Sequence, residues 1–311
     1  MSDDKTPRID AATGTPTKGH EWDGIEELDT PLPRWWLWTF YATILFAIGY
    51  VIAYPALPML NDYTRGWLGW SSRDALDQEL AARERQIAPL RQAIAVTTID
   101  KLAGQPRLMQ AAVEGGRAAF KVHCVQCHGS GAAGSKGYPN LNDDDWLWGG
   151  DLATIEQTIT DGIRNPDHAA TRASIMPAFG RDRLLTAEQV DDVVVHVRTI
   201  SGQERPSGAS RRGGQLFADN CAVCHGPAGK GTRALGAPNL TDGIWLYGGD
   251  AETLRQTVWN SRQGVMPRWD DKLDKATIRM LAAYVHSLGG GEATPVMVAV
   301  DAPKGAEGAG R

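Results

Sequence analysis

Two five-residue segments of the same form, Cys124-Val-Gln-Cys127-His128 and Cys221-Ala-Val-Cys224-His225, contain every cysteine of the chain and anchor an internal repeat. Laying Cys124 on Cys221 brings the downstream residues into register: Pro139-Asn140-Leu141 with Pro238-Asn239-Leu240, then Trp146-Leu147-Trp148-Gly149-Gly150-Asp151 with Trp245-Leu246-Tyr247-Gly248-Gly249-Asp250, then Met176-Pro177 with Met266-Pro267. A closing helix follows in each copy, Thr186 to Ile200 and Asp274 to Leu288, opened by a Thr186-x-x-Gln189 capping box in one and by Asp274 as N-cap in the other. One folding unit of about a hundred residues is used twice, and the fold must accommodate two equivalent bodies.

The chemistry of the segments follows from their spacing. Two thiols three positions apart on one turn can each add to a vinyl group of one haem, while the adjacent imidazole reaches the iron. The sequence therefore predicts two covalently bound c-type haems on Cys124, Cys127, Cys221 and Cys224, with His128 and His225 as proximal ligands. Zinc would need two further ligands beside each pair, which the repeat does not supply. A thioredoxin-type dithiol would follow a strand in a βαβ unit, and neither segment does. Met176 and Met266, each beside a rigid proline, are expected to close the sixth positions and raise the potentials. Which methionine closes which haem is left open. Met59, Met109 and Met280 read as packing residues.

Other residues give weaker signals. His123, His168, His196 and His286 lack matching partners in the repeat and read as packing or surface residues, and His20 lies in the N-terminal arm. Trp146, Trp148, Trp245 and Tyr247 recur and can pack on haem edges, where an indole N–H can donate to a propionate. Arg164, Arg172, Arg233 and Arg262 are candidate propionate partners without a firm correspondence between copies. Each copy reads as a class I cytochrome c arrangement: a first helix (Val113 to Lys121; Gly208 to Asp219), the Cys-His turn, loops, a methionine loop, and a closing helix that crosses the first.

Ahead of the repeat, Trp35 to Leu60 contains no charged residue, long enough to cross a bilayer, with tryptophan and tyrosine at both ends. Pro55 and Pro58 are placed to end or kink it. The polar arm before it and the absence of a small-residue cleavage site favour an uncleaved anchor over a removed signal peptide. Ser71 to Val96 reads as a surface helix between anchor and repeat. Composition is otherwise that of a water-soluble protein, 42% hydrophobic and 22% charged, and a net charge of -5 without a basic run argues against nucleic acid as a partner.

The run from Trp22 to Trp36 (WDGIEELDTPLPRWW), entering a single membrane helix, resembles the N-terminal signature of the dihaem subunit III (CcoP/FixP) family of cbb3-type cytochrome c oxidases, and the tandem haem motifs resemble the same family over roughly residues 20 to 290. Thr30 stands where the signature has Asn, and one span is present where some members have two. The resemblance implies an all-α fold with one N-terminal transmembrane helix followed by two tandem class I cytochrome c domains. Its extents are a cytoplasmic arm at 1–34, the span at 35–60, a linker helix region at 61–107, haem domains at 108–202 and 208–290, and a disordered tail at 291–311. It also implies an electron-transfer subunit, without an oxygen-reducing site of its own, that takes electrons from cytochrome c and passes them towards the catalytic subunit through a monohaem cytochrome subunit. The chain would sit in the bacterial inner membrane with its haem domains periplasmic. The competing reading is a membrane-anchored dihaem cytochrome serving another respiratory dehydrogenase; a peroxidase or an oxygen sensor would call for an open or displaceable sixth position.

Overall fold

The computed structural model describes residues 7–293 and divides into two units, Met1–Arg85 and Gln86–Arg311. In the first unit the polar arm holds a small antiparallel hairpin, β1 (Thr17–Trp22) and β2 (Ile25–Leu28). Its two-residue turn is Asp23-Gly24, both with positive φ (49° and 84°), the geometry that matches strand twist. Helix α1 (Arg34–Ala53) has 20 residues, no buried side chain and the length and composition to cross a membrane, about 30 Å at the rise of an α-helix. It stops before Leu60 because Tyr54 precedes Pro55 and is extended (φ -117°, ψ 161°). The chain then curls back to serve the open end: Tyr54 N–H donates to the Tyr50 carbonyl, Trp67 N–H to Ile52 and Leu68 N–H to Ala53. Gly66, at φ +69°, lies so close to Ala53 and Tyr54 that a Cβ would strike their backbone.

Helix α2 (Ser72–Val96) runs into the second unit, which is helical throughout: α3 (Ile99–Ala103), α4 (Pro106–His123), α5 (Val125–His128), α6 (Leu152–Asp161), α7 (Ala187–Ile200), α8 (Gly208–Asn220), α9 (Ala222–His225), α10 (Ala251–Asn260) and α11 (Lys275–His286). Both closing helices start as their sequences predict, with the reciprocal Thr186–Gln189 capping box on α7 and the Asp274 carboxylate accepting from Thr277 N–H on α11.

Two hydrophobic cores form, and neither belongs to one repeat copy. Body A packs α4, α5 and α6 against α11, around Phe120, Leu152, Ile155 and Leu281. Body B packs α8, α9 and α10 against α7, around Phe217, Leu254, Val190 and Val194. Each closing helix thus crosses the first helix of the other copy, where the sequence reading has each copy closing on itself. The cause is the short connection from Ser201 to Ser207, which makes α7 and α8 antiparallel neighbours; α4 is left uncovered until α11 arrives. Body B is consequently one continuous stretch of chain nested inside body A. The crossings are equivalent in detail. Gly116 and Gly213 let the backbones approach so closely that a Cβ would run into the Met280 or Asp192 carbonyl. Phe120 lies 5.3 Å from the Tyr284 ring, and Phe217 lies 5.3 Å from that of His196.

Of the tail beyond Gly290, only Gly291 to Ala293 are described, and Glu292 is held: its backbone N–H donates to the Gly150 carbonyl and its carboxylate pairs with Arg233. The expected disorder from residue 294 onward falls outside the described residues.

Candidate functional site

Each Cys-x-x-Cys-His segment forms one helical turn off the end of a long helix. Cys124 N–H donates to the Phe120 carbonyl and His128 N–H to the Cys124 carbonyl; Cys221, Phe217 and His225 repeat this. The turn ends where Gly129 and Gly226 take positive φ of 78° and 76°. Each imidazole is oriented from behind: His128 Nδ1 lies 3.1 Å from the Pro139 carbonyl, and His225 Nδ1 lies 3.1 Å from the Pro238 carbonyl. A carbonyl can only accept, so Nδ1 carries the proton and Nε2 presents its lone pair, the tautomer an iron ligand needs. Burial lowers the pKa of both imidazoles against the opposing pull of those carbonyls and so favours the neutral form. The four cysteines are unbridged. Burial, helped by the neighbouring thiol, pushes Cys124 and Cys221 up to about 11.

The methionine loops cross between bodies. Met266 packs against the body A core, as Cys124, Val125, Leu141 and Trp146 do, and its backbone exchanges two hydrogen bonds of 2.9 Å with Ile163. Met176 packs against the body B core, as Cys221, Ala222, Leu240 and Trp245 do, its carbonyl accepting from Ser261 Oγ. The structure thus groups Cys124, His128 and Met266 in one body and Cys221, His225 and Met176 in the other.

Sequence comparison finds matches to the N-terminal arm with its helix and to both repeat copies. A family described as the N-terminal domain of cytochrome oxidase-cbb3, FixP, matches residues 14–61, and one described as cytochrome c oxidase, cbb3-type, subunit III, matches residues 111–197 and 208–285. The chain belongs to the subunit III family of cbb3-type cytochrome c oxidases. Its relatives include the cbb3-type cytochrome c oxidase subunit CcoP of Cereibacter sphaeroides, 54% identical over 277 residues that cover 89% of this chain and 96% of the relative. The subunits FixP of Azorhizobium caulinodans (49% identical, 91% and 96% covered) and of Rhizobium meliloti (48% identical, 93% and 99% covered) are similar along nearly their whole lengths.

Membership in this subunit III family implies haem, and the residues present fit it. Beyond the Cys, His and Met sets, the seam between the bodies holds two buried donors without a partner among the described residues, Trp148 Nε1 and Arg172 Nε, although Arg172 Nη2 donates to Gln157 and the guanidinium stacks 5.0 Å from the Trp148 ring. Orphaned buried N–H groups are rare and call for an acceptor, and a haem carboxylate has the matching charge. Among the described residues no three His, Cys, Asp or Glu side chains converge as a metal-ion site.

The seam also corrects the sequence reading of the arginines. Arg172 and Arg262 do correspond, each four residues before its Met-Pro pair, and each stacks on the matching aromatic of its own copy: Arg262 lies 4.3 Å from the Tyr247 ring. The Arg-x-x-x-Met-Pro spacing was the available signal. Trp148 and Tyr247 reach across the seam to Gly236 and Gly137 of the opposite copy, and Gly137 N–H donates to the Leu246 carbonyl. Arg233 is engaged by Glu292, and the Trp146 indole donates to the Gly290 carbonyl. The remaining histidines serve packing: His123 against Trp269, His168 on Asp161, His196 on the Ser210 carbonyl and His286 on the Glu292 carbonyl.

Proposed function

We propose that this chain is the electron-transfer subunit of a cbb3-type oxidase and carries electrons through two covalent haems, one attached at Cys124 and Cys127 with His128 and Met266 as axial ligands, the other at Cys221 and Cys224 with His225 and Met176. The observation that carries this reading is the packing of each Cys-His turn in one core with the methionine of the other copy. The alternative, an anchored cytochrome of another dehydrogenase, is disfavoured by the oxidase-specific match at residues 14–61.

Haem supplies a one-electron iron centre when bound. The chain's part is to hold it. The carbonyls of Pro139 and Pro238 fix imidazole orientation and strengthen the nitrogen as a ligand. Phe120, Leu152, Phe217 and Leu254 exclude water from the two cores, and the Met176 and Met266 thioethers would hold the iron, raise its potential and keep oxygen away from it. Trp148 and Arg172 would seat a carboxylate at the seam. Oxygen reduction then belongs to a catalytic subunit reached through a monohaem cytochrome subunit, with cytochrome c as donor. Covalent attachment outside the cytoplasmic membrane puts the haem bodies on the periplasmic side of α1 and the arm 1–34 in the cytoplasm. The two sequence copies span 108–202 and 208–290.

The test is to purify the tagged chain from its native membrane in mild detergent and to record reduced-minus-oxidised spectra with and without carbon monoxide. Co-purifying b-type haem that binds carbon monoxide, with c-type bands unmoved, is expected. C-type bands alone would point to another complex, and c-type bands that shift with carbon monoxide would overturn the methionine assignment.

A further inference from the structure

The chain passes from body A to body B just after Ile163 and returns just before Met266, so the two strands of this neck lie side by side, joined by the Ile163–Met266 hydrogen bonds. Gly162, at φ +70°, has no room for a Cβ against the Met266 carbonyl. At the centre of the neck stands Arg164. Its Nε donates to the Ser174 carbonyl at 2.9 Å and its Nη1 to the Gly264 carbonyl at 2.8 Å. These acceptors are equivalent: Ser174 is two residues before Met176, and Gly264 is two residues before Met266. A single guanidinium therefore grips both methionine loops at the same position, with Arg164 N–H tied to the Arg172 carbonyl at 2.8 Å.

Two observations mark the grip as a built feature. Arg164 has φ +52°, a left-handed conformation that few residues with a side chain adopt, and one that the surrounding bonds must hold in place. The register of α6 against α10 makes Gln263 its counterpart in the second copy, and the buried Oε1 of Gln263 has no partner. Among the described residues the second copy supplies no equivalent bridge, so one arginine serves both loops.

We infer that Arg164 is a positioning residue that couples the two axial methionines, so that release of one methionine from its haem loosens the other. This rests on the ligand assignment proposed above. The guanidinium is a rigid planar fork, so a displacement of the Met176 loop that keeps the Ser174 bond must break or drag the Gly264 bond. The coupling is reciprocal, as any linkage between two binding equilibria is.

The experiment uses the oxidised, full-length, haem-loaded protein. Imidazole is added in steps to displace the methionines while the far-red absorption band of the methionine–ferric iron bond is followed. The native chain is expected to lose the band cooperatively. Arg164→Met should make the loss non-cooperative and shift its midpoint by roughly fivefold or more to lower imidazole. Arg164→Lys, which keeps the charge but not the two-pronged donor, should behave like Arg164→Met and carries the comparison if that variant accumulates poorly. Non-cooperative loss in the native chain, or cooperativity that survives both substitutions, overturns the coupling. A native chain with no such band overturns the methionine assignment itself and the coupling with it, a separate and recognisable result.

Discussion

Bodies A and B share a frame but not its reinforcement, and one ion pair displays the difference. In body A, Arg279 on α11 reaches Glu156 on α6 at 2.9 Å; in body B, the equivalent positions are Asp191 on α7 and Arg255 on α10, paired at 2.7 Å with the charges exchanged. The side chains in body A are 6% and 18% exposed, against 55% and 36% in body B. The end of α2 makes the difference. Arg279 also donates to the carbonyls of Ile94, Ala95 and Thr97, the open end of that helix, while Ile94, Ile99 and Leu102 bury themselves in the same core. Arg91 adds a bond to Thr277 at the start of α11. The same pair is exposed in body B and buried in body A because the end of α2 lies over it in body A.

The largest effect should come from breaking the buried pair. Arg279→Met strands the Glu156 carboxylate and unsatisfies the end of α2, and is expected to cost about 3–5 kcal/mol, read as a body A thermal transition separating below that of body B by calorimetry of the haem-loaded chain. Gly116→Ala and Gly213→Ala probe what the bodies share and should cost similar amounts, about 1–3 kcal/mol each; a cost confined to one would break the equivalence of the crossings. Asp191→Asn, the mirror of the first change, should cost less than about 1 kcal/mol, and a cost equal to that of Arg279→Met would refute the role given to α2.

The smallest effect concerns pH. His196 in body B stands where body A has Tyr284, and burial lowers its pKa, opposed by its bond to the Ser210 carbonyl. A depressed imidazole stays neutral in the folded protein while the unfolded chain takes up its proton at about pH 6.5. The unfolded state then binds more protons, and stability is lost as pH falls through that value towards the lower folded one. Body B should weaken between about pH 7 and pH 5 in denaturant titrations, and His196→Tyr should abolish that part of the slope without altering body A.

Much of this was legible in the residues. The Cys-His turns, the methionine loops and the caps at Thr186 and Asp274 rest on local chemistry, which reads directly from spacing. The exchange of closing helices was not legible, because α7 and α11 are copies of one helix and either can bury the same face of α4; only the short Ser201 to Ser207 connection discriminates, and it does so through geometry. The hairpin at Asp23-Gly24 had a turn signal but no alternating strands to support it. Arg164 was visible as an arginine, but its grip depends on two carbonyls brought together by the neck, and backbone acceptors leave no trace in a sequence.

Nesting has a consequence for how the chain is made. As the polypeptide is made, everything that completes body B has emerged by the end of α10, so that body can close while synthesis continues. Body A exposes the Cys124 turn first yet must wait for Met266 and α11, the last described helix of the chain, to be finished. The half-built first body therefore stays open for the longest interval and is vulnerable to proteases. A message truncated after α10 would leave the second body intact and deprive the first of its lid, so damage at the carboxyl end would be felt at the site nearest the amino end.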